Sequence, residues 1–210
     1  MRQLIFVWTV LLATILAATT HAADMRVYFG TYTRGKDSQG IYTCLMDAKT
    51  GKLHSLELAA EADNPSFVAL HPSKPLLYSV GEVDDYEGKS AGSVCAFEID
   101  ESTGKLQLIN RVSSHGAAPC HIVVDAAGKH VLTANYSAGN ANINRIKDDG
   151  GLGEQTGFTQ HTGSSVNKSR QEAPHAHSIN LDKANKFAFV ADLGIDQIKV
   201  YRYNLSLIHI

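Results

Sequence analysis

Cysteine, tryptophan and an excess of charge of either sign are all scarce in this sequence. Its 210 residues include three cysteines and one tryptophan, and the formal net charge is −2. An odd number of cysteines leaves at least one free thiol or an intermolecular bond, and we expect all three to be small buried apolar residues. Without a basic stripe or an acidic tail, nothing predicts nucleic acid or an anionic membrane as a partner. Zinc, P-loop, dinucleotide and nucleophile-elbow signatures are also missing, so we expect no metal and no cofactor.

Long hydrophobic runs are confined to the N-terminus of the sequence. The run from Leu4 to Ala18 is almost entirely apolar, Arg2 precedes it, and the tripeptide THA at 20–22 resembles a small-residue cleavage site. The run is shorter than the roughly 20 residues that span a bilayer, which favours a cleaved signal peptide over 1–22. An uncleaved membrane anchor is the alternative. The prediction is therefore a periplasmic or secreted protein that is not attached to a membrane after cleavage.

Helical periodicity is missing after residue 22, and a repeated strand pattern takes its place. Short β-branched and aromatic runs are separated by Gly, Asn, Asp and Pro, which is typical of strands and turns. One pattern of two strands recurs around His71, Asp125 and Asp182, at intervals of 54 and 57 residues. A second pattern ends in TGKL at 50–53 and again at 103–106. Units of roughly 50 residues with four short strands predict the blades of a β-propeller rather than a β-sandwich.

The sequence is too short for a complete ring of such units. Residues 23–204 hold about three and a half units, whereas propellers close with about four to eight. The last six residues, LSLIHI at 205–210, break the pattern, and we interpret them as a non-native tail on a natural chain that continues. We therefore predict an all-β, incomplete propeller of three to four blades. We expect it to be inactive alone, because its end sheets leave edges and faces bare.

Several motifs within this repeat are specific enough to compare with known families. They are VYFGTYT at 27–33, GAAPCH at 116–121, HTGSSVN at 161–167, RQEAPHAHS at 170–178 and VADLGID at 190–196. Together they resemble the seven-bladed β-propeller lactonase family, which includes 6-phosphogluconolactonases and carboxymuconate lactonising enzymes. The resemblance implies a total of seven blades and a carboxylic ester hydrolase that opens sugar lactones. The family's further active-site arginines and acid, which lie in later blades, have no counterpart in this sequence.

Propeller geometry predicts where a site would form. In each blade the first strand lies against the central channel, and the second strand runs back antiparallel beside it. The start of each first strand and the end of each second strand therefore meet at one mouth of the channel. The long segment 161–172 leads into one of these starts, so we expect it to lie over that mouth.

Two histidines at this mouth are the leading catalytic candidates. His175 and His177 lie two residues apart, so a strand would turn both side chains toward the channel. Opening a lactone requires a base that activates water and donors for the oxyanion, and neutral histidine suits the base role near pH 7. With the family resemblance, we place His177 first and His175 second. Hydrogen bonds to neighbouring backbone are their alternative role, and two ligands fall short of a metal site.

Five polar residues are predicted to bind substrate around these histidines. Arg170 suits a phosphate or carboxylate, Asn135 and Tyr136 suit sugar hydroxyls, and Glu82 and Asp192 suit hydroxyls or the orientation of a histidine. We take Glu82, Asn135 and Asp192 as equivalent positions of successive blades. Capping of turns by these three, and a plain loop position for Arg170, are the alternatives.

Taken together, these features predict an enzyme that acts on a small molecule. The leading hypothesis is metal-independent hydrolysis of a sugar lactone, such as 6-phosphogluconolactone, by general-base activation of water at the channel mouth. An exported protein would more readily meet an unphosphorylated lactone, because the phosphorylated one is usually cytoplasmic. A muconate-type lactonising isomerase and a non-catalytic extracytoplasmic binding propeller are the alternatives. The sequence leaves the particular lactone and the oligomeric state open.

Overall fold

The computed structural model describes residues 24–203. The predicted signal peptide at 1–22 and the predicted non-native tail at 205–210 lie outside the described residues. Within 24–203, no helix has the length and apolar character needed to cross a membrane. The regular elements of this range are β-strands, apart from one 3₁₀ turn at Tyr86–Gly88.

Short strands in the described range build four antiparallel sheets, which confirms the all-β, incomplete propeller. The first sheet contains β1 (Met25–Phe29), β2 (Gly40–Met46) and β3 (Leu53–Glu61). The second contains β4 (Val68–Leu70), β5 (Leu76–Gly81), β6 (Ser93–Ile99) and β7 (Leu106–Ser113). The third contains β8 (Pro119–Val124), β9 (His130–Asn135), β10 (Asn140–Ile146) and β11 (Leu152–Gln160). The fourth contains β12 (Ala176–Leu181), β13 (Phe187–Asp192) and β14 (Gln197–Arg202).

Both repeated sequence patterns correspond to strand pairs in these sheets. The pattern around His71, Asp125 and Asp182 consists of the first two strands of the second, third and fourth sheets, and each of the three residues lies in the connecting turn. The TGKL pattern joins β2 to β3 and β6 to β7. The second and third sheets have four strands each. Compared with them, the three strands of the first sheet therefore correspond to strands two, three and four. The fourth sheet holds counterparts of strands one to three.

The TGKL turns show why the repeat is visible in the sequence. Gly51 and Gly104 have positive φ angles of 72° and 79°, which residues with a side chain rarely adopt. Asp47 and Asp100 precede these turns, and one carboxylate oxygen of each accepts hydrogen bonds from two backbone N–H groups. The aspartate and the glycine together fix a tight turn, which sets the register of the strands on both sides.

Apolar clusters between neighbouring sheets form the core. One cluster joins the second and third sheets through residues such as Tyr78 and Ile122, and another joins the third and fourth through Ile143 and Ile179. The first strand β8 contacts the first strands of both neighbouring sheets, β4 on one side and β12 on the other. These three strands therefore line a common axis, with the later strands of each sheet farther out, as in a propeller.

Tyrosine hydroxyls bond each of the first two sheets to the next one. Tyr78 on β5 is fully buried, and its hydroxyl donates to the carbonyl oxygen of Gly150 in the third sheet at 2.9 Å. Tyr28 on β1 makes the corresponding bond to Gly104 of the second sheet at 3.1 Å. Burial raises the pKa of Tyr78 well above its usual value, so its hydroxyl remains a donor. The same contact thus repeats between successive sheets.

Candidate functional site

The predicted mouth lies where first strands begin and second strands end. Across these strand pairs, Pro119 pairs with Asn135, and Ala176 pairs with Asp192. A cavity of about 300 Å³ opens at these ends. Its lining residues come from all four sheets and their loops: Tyr32, Ser66, Phe67, Glu82, Cys120, Tyr136, Arg170 and His177. Four of the seven residues predicted for the site are among them.

Glu82 forms the anionic side of this cavity. The hydroxyls of Tyr32 and Ser66 both donate to its Oε2 atom, that of Tyr32 at 2.9 Å. Burial, followed by the bond to Glu82, raises the pKa of Tyr32, so its hydroxyl stays protonated and donating at neutral pH. Two donors on one oxygen hold the carboxylate in place, and within residues 24–203 no group donates to its Oε1 atom.

His175 and His177 lie against the same aromatic ring. The His175 ring stacks on Tyr136, with centroids 4.5 Å apart and an interplanar angle of 12°, and His177 meets Tyr136 edge-on at 5.7 Å. β12 begins only at Ala176, and its pairing with β13 shifts between Ala176 and Ser178. A bulge rather than simple strand alternation therefore brings the two histidines together.

The two histidines differ in the use of their ring nitrogens. Nδ1 of His175 lies 3.1 Å from the carbonyl oxygen of Tyr136, and because a carbonyl only accepts, this nitrogen carries a proton. Nε2 of His175 lies 3.5 Å from a carboxylate oxygen of Glu172. His177 is exposed at the cavity, and no described residue makes a hydrogen bond to its ring. His177 is therefore the better placed of the two to take a proton from water.

Arg170 lies at the mouth, on the long segment predicted to cover it. Its Nη2 donates to the hydroxyl of Tyr136 at 3.3 Å. The segment is held by the buried Gln171, whose amide donates to the carbonyl oxygen of Leu193 at 2.9 Å and accepts from the N–H of Asn167 at 3.0 Å. Arg170 thus has a fixed backbone and an exposed guanidinium directed at the mouth.

The supposed equivalence of Glu82 with Asn135 and Asp192 is wrong by one residue. The second strands of their sheets end at Gly81, Asn135 and Asp192, and Glu82 follows such an end, as Tyr136 does. Because neighbouring residues of a strand point to opposite sides, this offset decides which side chains reach the mouth. Glu82 and Tyr136 line the cavity, whereas Asn135 and Asp192 are buried.

Asn135 is not brought to the cavity. Its side chain is fully buried, and its amide N–H groups donate to the carbonyl oxygen of Ser114 at 2.9 Å and to Oδ1 of Asn140 at 2.6 Å. These bonds connect the end of β9 to the start of β10 and to the preceding loop. The contacts favour the alternative of a structural residue over the predicted contact with sugar hydroxyls.

Asp192 contacts the backbone of a histidine rather than the cavity of about 300 Å³. Its Oδ1 atom accepts from the N–H groups of His175 at 2.8 Å, Gly194 at 2.9 Å and Ile195 at 3.2 Å. Its Oδ2 atom lies 2.5 Å from Nδ1 of His161. Of the roles predicted for Asp192, the orientation of a histidine and the capping of a turn fit these contacts.

Cys120 lines the cavity as a protonated thiol. Its Sγ donates to the carbonyl oxygen of His177 at 3.4 Å, and burial, followed by the charge of Glu82, raises its pKa to about 12. Cys44 and Cys95 are buried free thiols, as expected, whereas Cys120 is only half-buried. Burial also lowers the pKa of His121. In the described part of the chain, no cluster of three or more His, Cys, Asp and Glu side chains could hold a metal ion.

Sequence reasoning missed the contribution of the first sheet to the mouth. Tyr32 lies in the loop after β1, and the buried side-chain oxygen of Asn64 accepts from the N–H groups of Thr33 at 2.8 Å and Arg34 at 3.0 Å. These bonds draw the loop across to the second sheet and place Tyr32 beside Glu82. Tyr32 lies in the motif VYFGTYT, but the repeated strand pattern does not indicate that the loop after β1 contacts the second sheet.

Radial sheets around a common axis, with a polar cavity at one axial mouth, define a β-propeller with a candidate small-molecule site. The chain belongs to the seven-bladed β-propeller lactonase family, whose model matches residues 26–207. It is 36% identical over 179 residues to a 6-phosphogluconolactonase of Bacillus subtilis and 32% identical over 180 residues to one of Formosa agariphila. These matches cover 85% and 86% of the chain but 49% and 50% of the relatives.

A solved structure supports the same placement. The periplasmic gluconolactonase PpgL of Pseudomonas aeruginosa is 27% identical and superposes with a TM-score of 0.78. The superposition covers 86% of this chain and 50% of that one. The chain therefore spans about half the length of the relatives it matches.

Proposed function

We propose that the full-length protein hydrolyses a sugar lactone at this mouth. The observation that carries the proposal is one cavity of about 300 Å³ that combines Glu82 and its two hydroxyl donors with His177 and Arg170. The names of the relatives, a 6-phosphogluconolactonase and a gluconolactonase, support the same reaction. Because the chain spans about half of each, the proposal concerns the full-length protein.

In the proposed reaction, His177 acts as the general base. One of its ring nitrogens takes a proton from water, whose oxygen attacks the lactone carbonyl carbon and forms a tetrahedral oxyanion. The guanidinium of Arg170 stabilises that oxyanion. When the C=O bond re-forms, the bond to the ring oxygen breaks, and the proton held by His177 passes to this leaving oxygen. The product is the open-chain hydroxy acid, and water is the only co-reactant.

Glu82 and Tyr136 are proposed to bind the sugar hydroxyls. Because Oε2 of Glu82 already accepts two hydroxyl donors, Oε1 is the oxygen that would accept from a substrate hydroxyl. Phe67, which is 41% exposed, adds an apolar surface for the face of the sugar ring. Asp192 and His175 act on the position of His177 rather than on the substrate in this proposal.

The charges at the mouth favour a sugar lactone over a muconate-type acid. Among the described cavity-lining residues, Arg170 is the only lysine or arginine, and Glu82 adds a negative charge. A muconate substrate carries two or more carboxylates, and each would need a cationic partner. The described residues therefore suit a polyhydroxylated, uncharged ligand better.

We further propose that the protein is periplasmic or secreted and that its substrate is not phosphorylated. The apolar run at 4–18 and the cleavage-like THA at 20–22 support export, as does the periplasmic location of the Pseudomonas relative. Residues 205–210 are proposed to be a non-native tail. Residues 23–204 alone are proposed to be inactive, because the fourth sheet leaves apolar side chains such as Ile198 and Val200 exposed at 67% and 57%.

The direct test is a lactonase assay on the full-length protein without residues 1–22. Turnover of glucono-δ-lactone and of its 6-phosphate is followed by acid release, in the wild type, in His177→Ala and in His54→Ala. We expect His177→Ala to lower kcat by about 10²- to 10⁴-fold. His54 bonds to Asp24 and Ser55 at the surface, so the matched control should retain wild-type kcat.

Three outcomes would each contradict a part of the proposal. Wild-type protein that turns over neither lactone would exclude the reaction and favour a binding role. Equal kcat for His177→Ala and the wild type would exclude His177 as the base. A preference for the 6-phosphate by more than about tenfold in kcat/KM would refute the unphosphorylated substrate.

A further inference from the structure

A histidine–aspartate pair is completely buried beneath the mouth. Nδ1 of His161 lies 2.5 Å from Oδ2 of Asp192, and the two side chains are 1% and 0% exposed. Among residues 24–203, Nε2 of His161 is a buried nitrogen without a hydrogen-bond partner. A buried ionisable pair with one unsatisfied atom is costly, because both groups lose their contact with water.

The corresponding positions of the other sheets show that this cost is not required by the fold. The strand-end position of Asp192 is occupied by Gly81 in the second sheet and by Asn135 in the third. Asn135 connects its sheet through neutral amide bonds, and its own Oδ1 atom is also buried without a hydrogen-bond partner among the described residues, so the charge is what distinguishes the pair. A neutral residue is therefore enough to complete the end of a second strand. The presence of a charged pair at Asp192 needs another explanation.

The charged pair is explained by the backbone that the Asp192 carboxylate holds in place. Its Oδ1 atom accepts from the N–H of His175 at 2.8 Å, immediately before β12 begins. His175 stacks on Tyr136, and His177 meets the same ring edge-on. The carboxylate therefore fixes the backbone from which both histidines project. His161, at the start of the segment that carries Arg170, fixes the carboxylate in turn.

We propose that His161 and Asp192 are a positioning pair for His177, which holds its ring in the geometry needed at the cavity. The inference rests on the proposed lactonase function for its kinetic test. Neither residue of the pair touches the substrate. Because a misplacement of about 1 Å can lower a rate a hundredfold, loss of the pair should lower kcat strongly.

The chain offers a matched control for a buried pair of the same chemistry. Nδ1 of His130 lies 3.1 Å from Oδ2 of Asp125, and the side chains are 9% and 0% exposed. Asp125 directly follows β8, whereas the mouth lies at the start of that strand. The control pair therefore lies at the opposite end of the sheet. Its removal should destabilise the fold without displacing His177.

The experiment compares Asp192→Ala and His161→Ala with Asp125→Ala and His130→Ala in the full-length protein. Each variant is measured for Tm, for kcat and KM on glucono-δ-lactone, and for the ¹³C–¹H NMR signal of the His177 ring. We expect all four to lower Tm. Only the first two should lower kcat by about ten- to a hundredfold, leave KM within about twofold, and shift the His177 signal, which the neighbouring Tyr136 ring perturbs, away from its wild-type position.

Conservative variants keep the test decisive if an alanine variant does not fold. Asp192→Asn retains an oxygen for the N–H of His175, so it should keep more kcat than Asp192→Ala. A folded Asp192 variant with wild-type kcat and an unchanged His177 signal would overturn the proposal, as would equal losses of kcat in both pairs. If the wild type opens no lactone, the proposed function fails, and the NMR signal alone decides the positioning role.

Discussion

Replacement of Glu82 by glutamine isolates the contribution of one carboxylate oxygen to substrate binding. Tyr32 and Ser66 both donate to Oε2, so the glutamine keeps these bonds by placing its carbonyl oxygen there. Its NH₂ group then lies where Oε1 was and cannot accept from a sugar hydroxyl. A hydrogen bond to a charged group contributes about 1.5–3 kcal/mol. We therefore expect kcat/KM on glucono-δ-lactone to fall by about 10- to 150-fold.

A lactone without ring hydroxyls makes this prediction specific. δ-Valerolactone has no hydroxyl to donate to Glu82, so its kcat/KM should change less than about threefold in Glu82→Gln. Glu154→Gln is the matched control, because Glu154 is an exposed partner of Arg145 on β11, the strand of the third sheet that lies at the opposite edge from the first strand β8. Equal losses on both lactones would show that Glu82 takes part in the chemistry or the fold rather than in hydroxyl binding. No loss on glucono-δ-lactone would refute its place in the site.

Two further predictions concern the fold and the thiol at the mouth. Tyr78→Phe leaves the carbonyl of Gly150 unpaired in the core and should lower the free energy of unfolding, measured by urea titration, by about 1–3 kcal/mol. Tyr28 is only half-buried, so Tyr28→Phe should lower the free energy of unfolding by only about 0.5–1 kcal/mol. Equal losses would contradict the assignment of the difference to burial. With its pKa at about 12, Cys120 should be alkylated by iodoacetamide at pH 8 about a thousandfold more slowly in the native than in the unfolded protein, as measured by mass spectrometry of its peptide. Native labelling at the unfolded rate would show that the thiol is not held in its buried, protonated form.

The fold could be predicted from the sequence because its local and global signals agree. Aspartate and glycine recur at the turns that contain Gly51 and Gly104, and each turn sets the register of its two strands. The repeat then fixes the arrangement of the sheets without any information about their packing. The tyrosine bonds between sheets could not be foreseen, because they join residues more than 70 positions apart.

The candidate site was only partly predictable, because it depends on contacts that the repeat does not encode. Arg170 and His177 were found from motif and geometry, and both line the cavity. Tyr32 reaches the cavity only because the side chain of Asn64 captures the loop after β1. His161 lies in the motif HTGSSVN, but its contact with Asp192 joins residues 31 positions apart and is not encoded in that motif.

The one-residue offset at the strand ends separates buried positions from cavity-lining positions in this propeller. The last residue of a second strand turns inward, where Asn135 and Asp192 bond to neighbouring backbone. The next residue reaches the mouth, where Glu82 supplies a carboxylate and Tyr136 an aromatic ring. Because adjacent residues face opposite sides, the mouth residue can change without disturbing the bonds that hold the strand end. One blade architecture can therefore present different chemistry at the axis, and only a prediction correct to the single residue distinguishes a cavity-lining side chain from a buried structural bond.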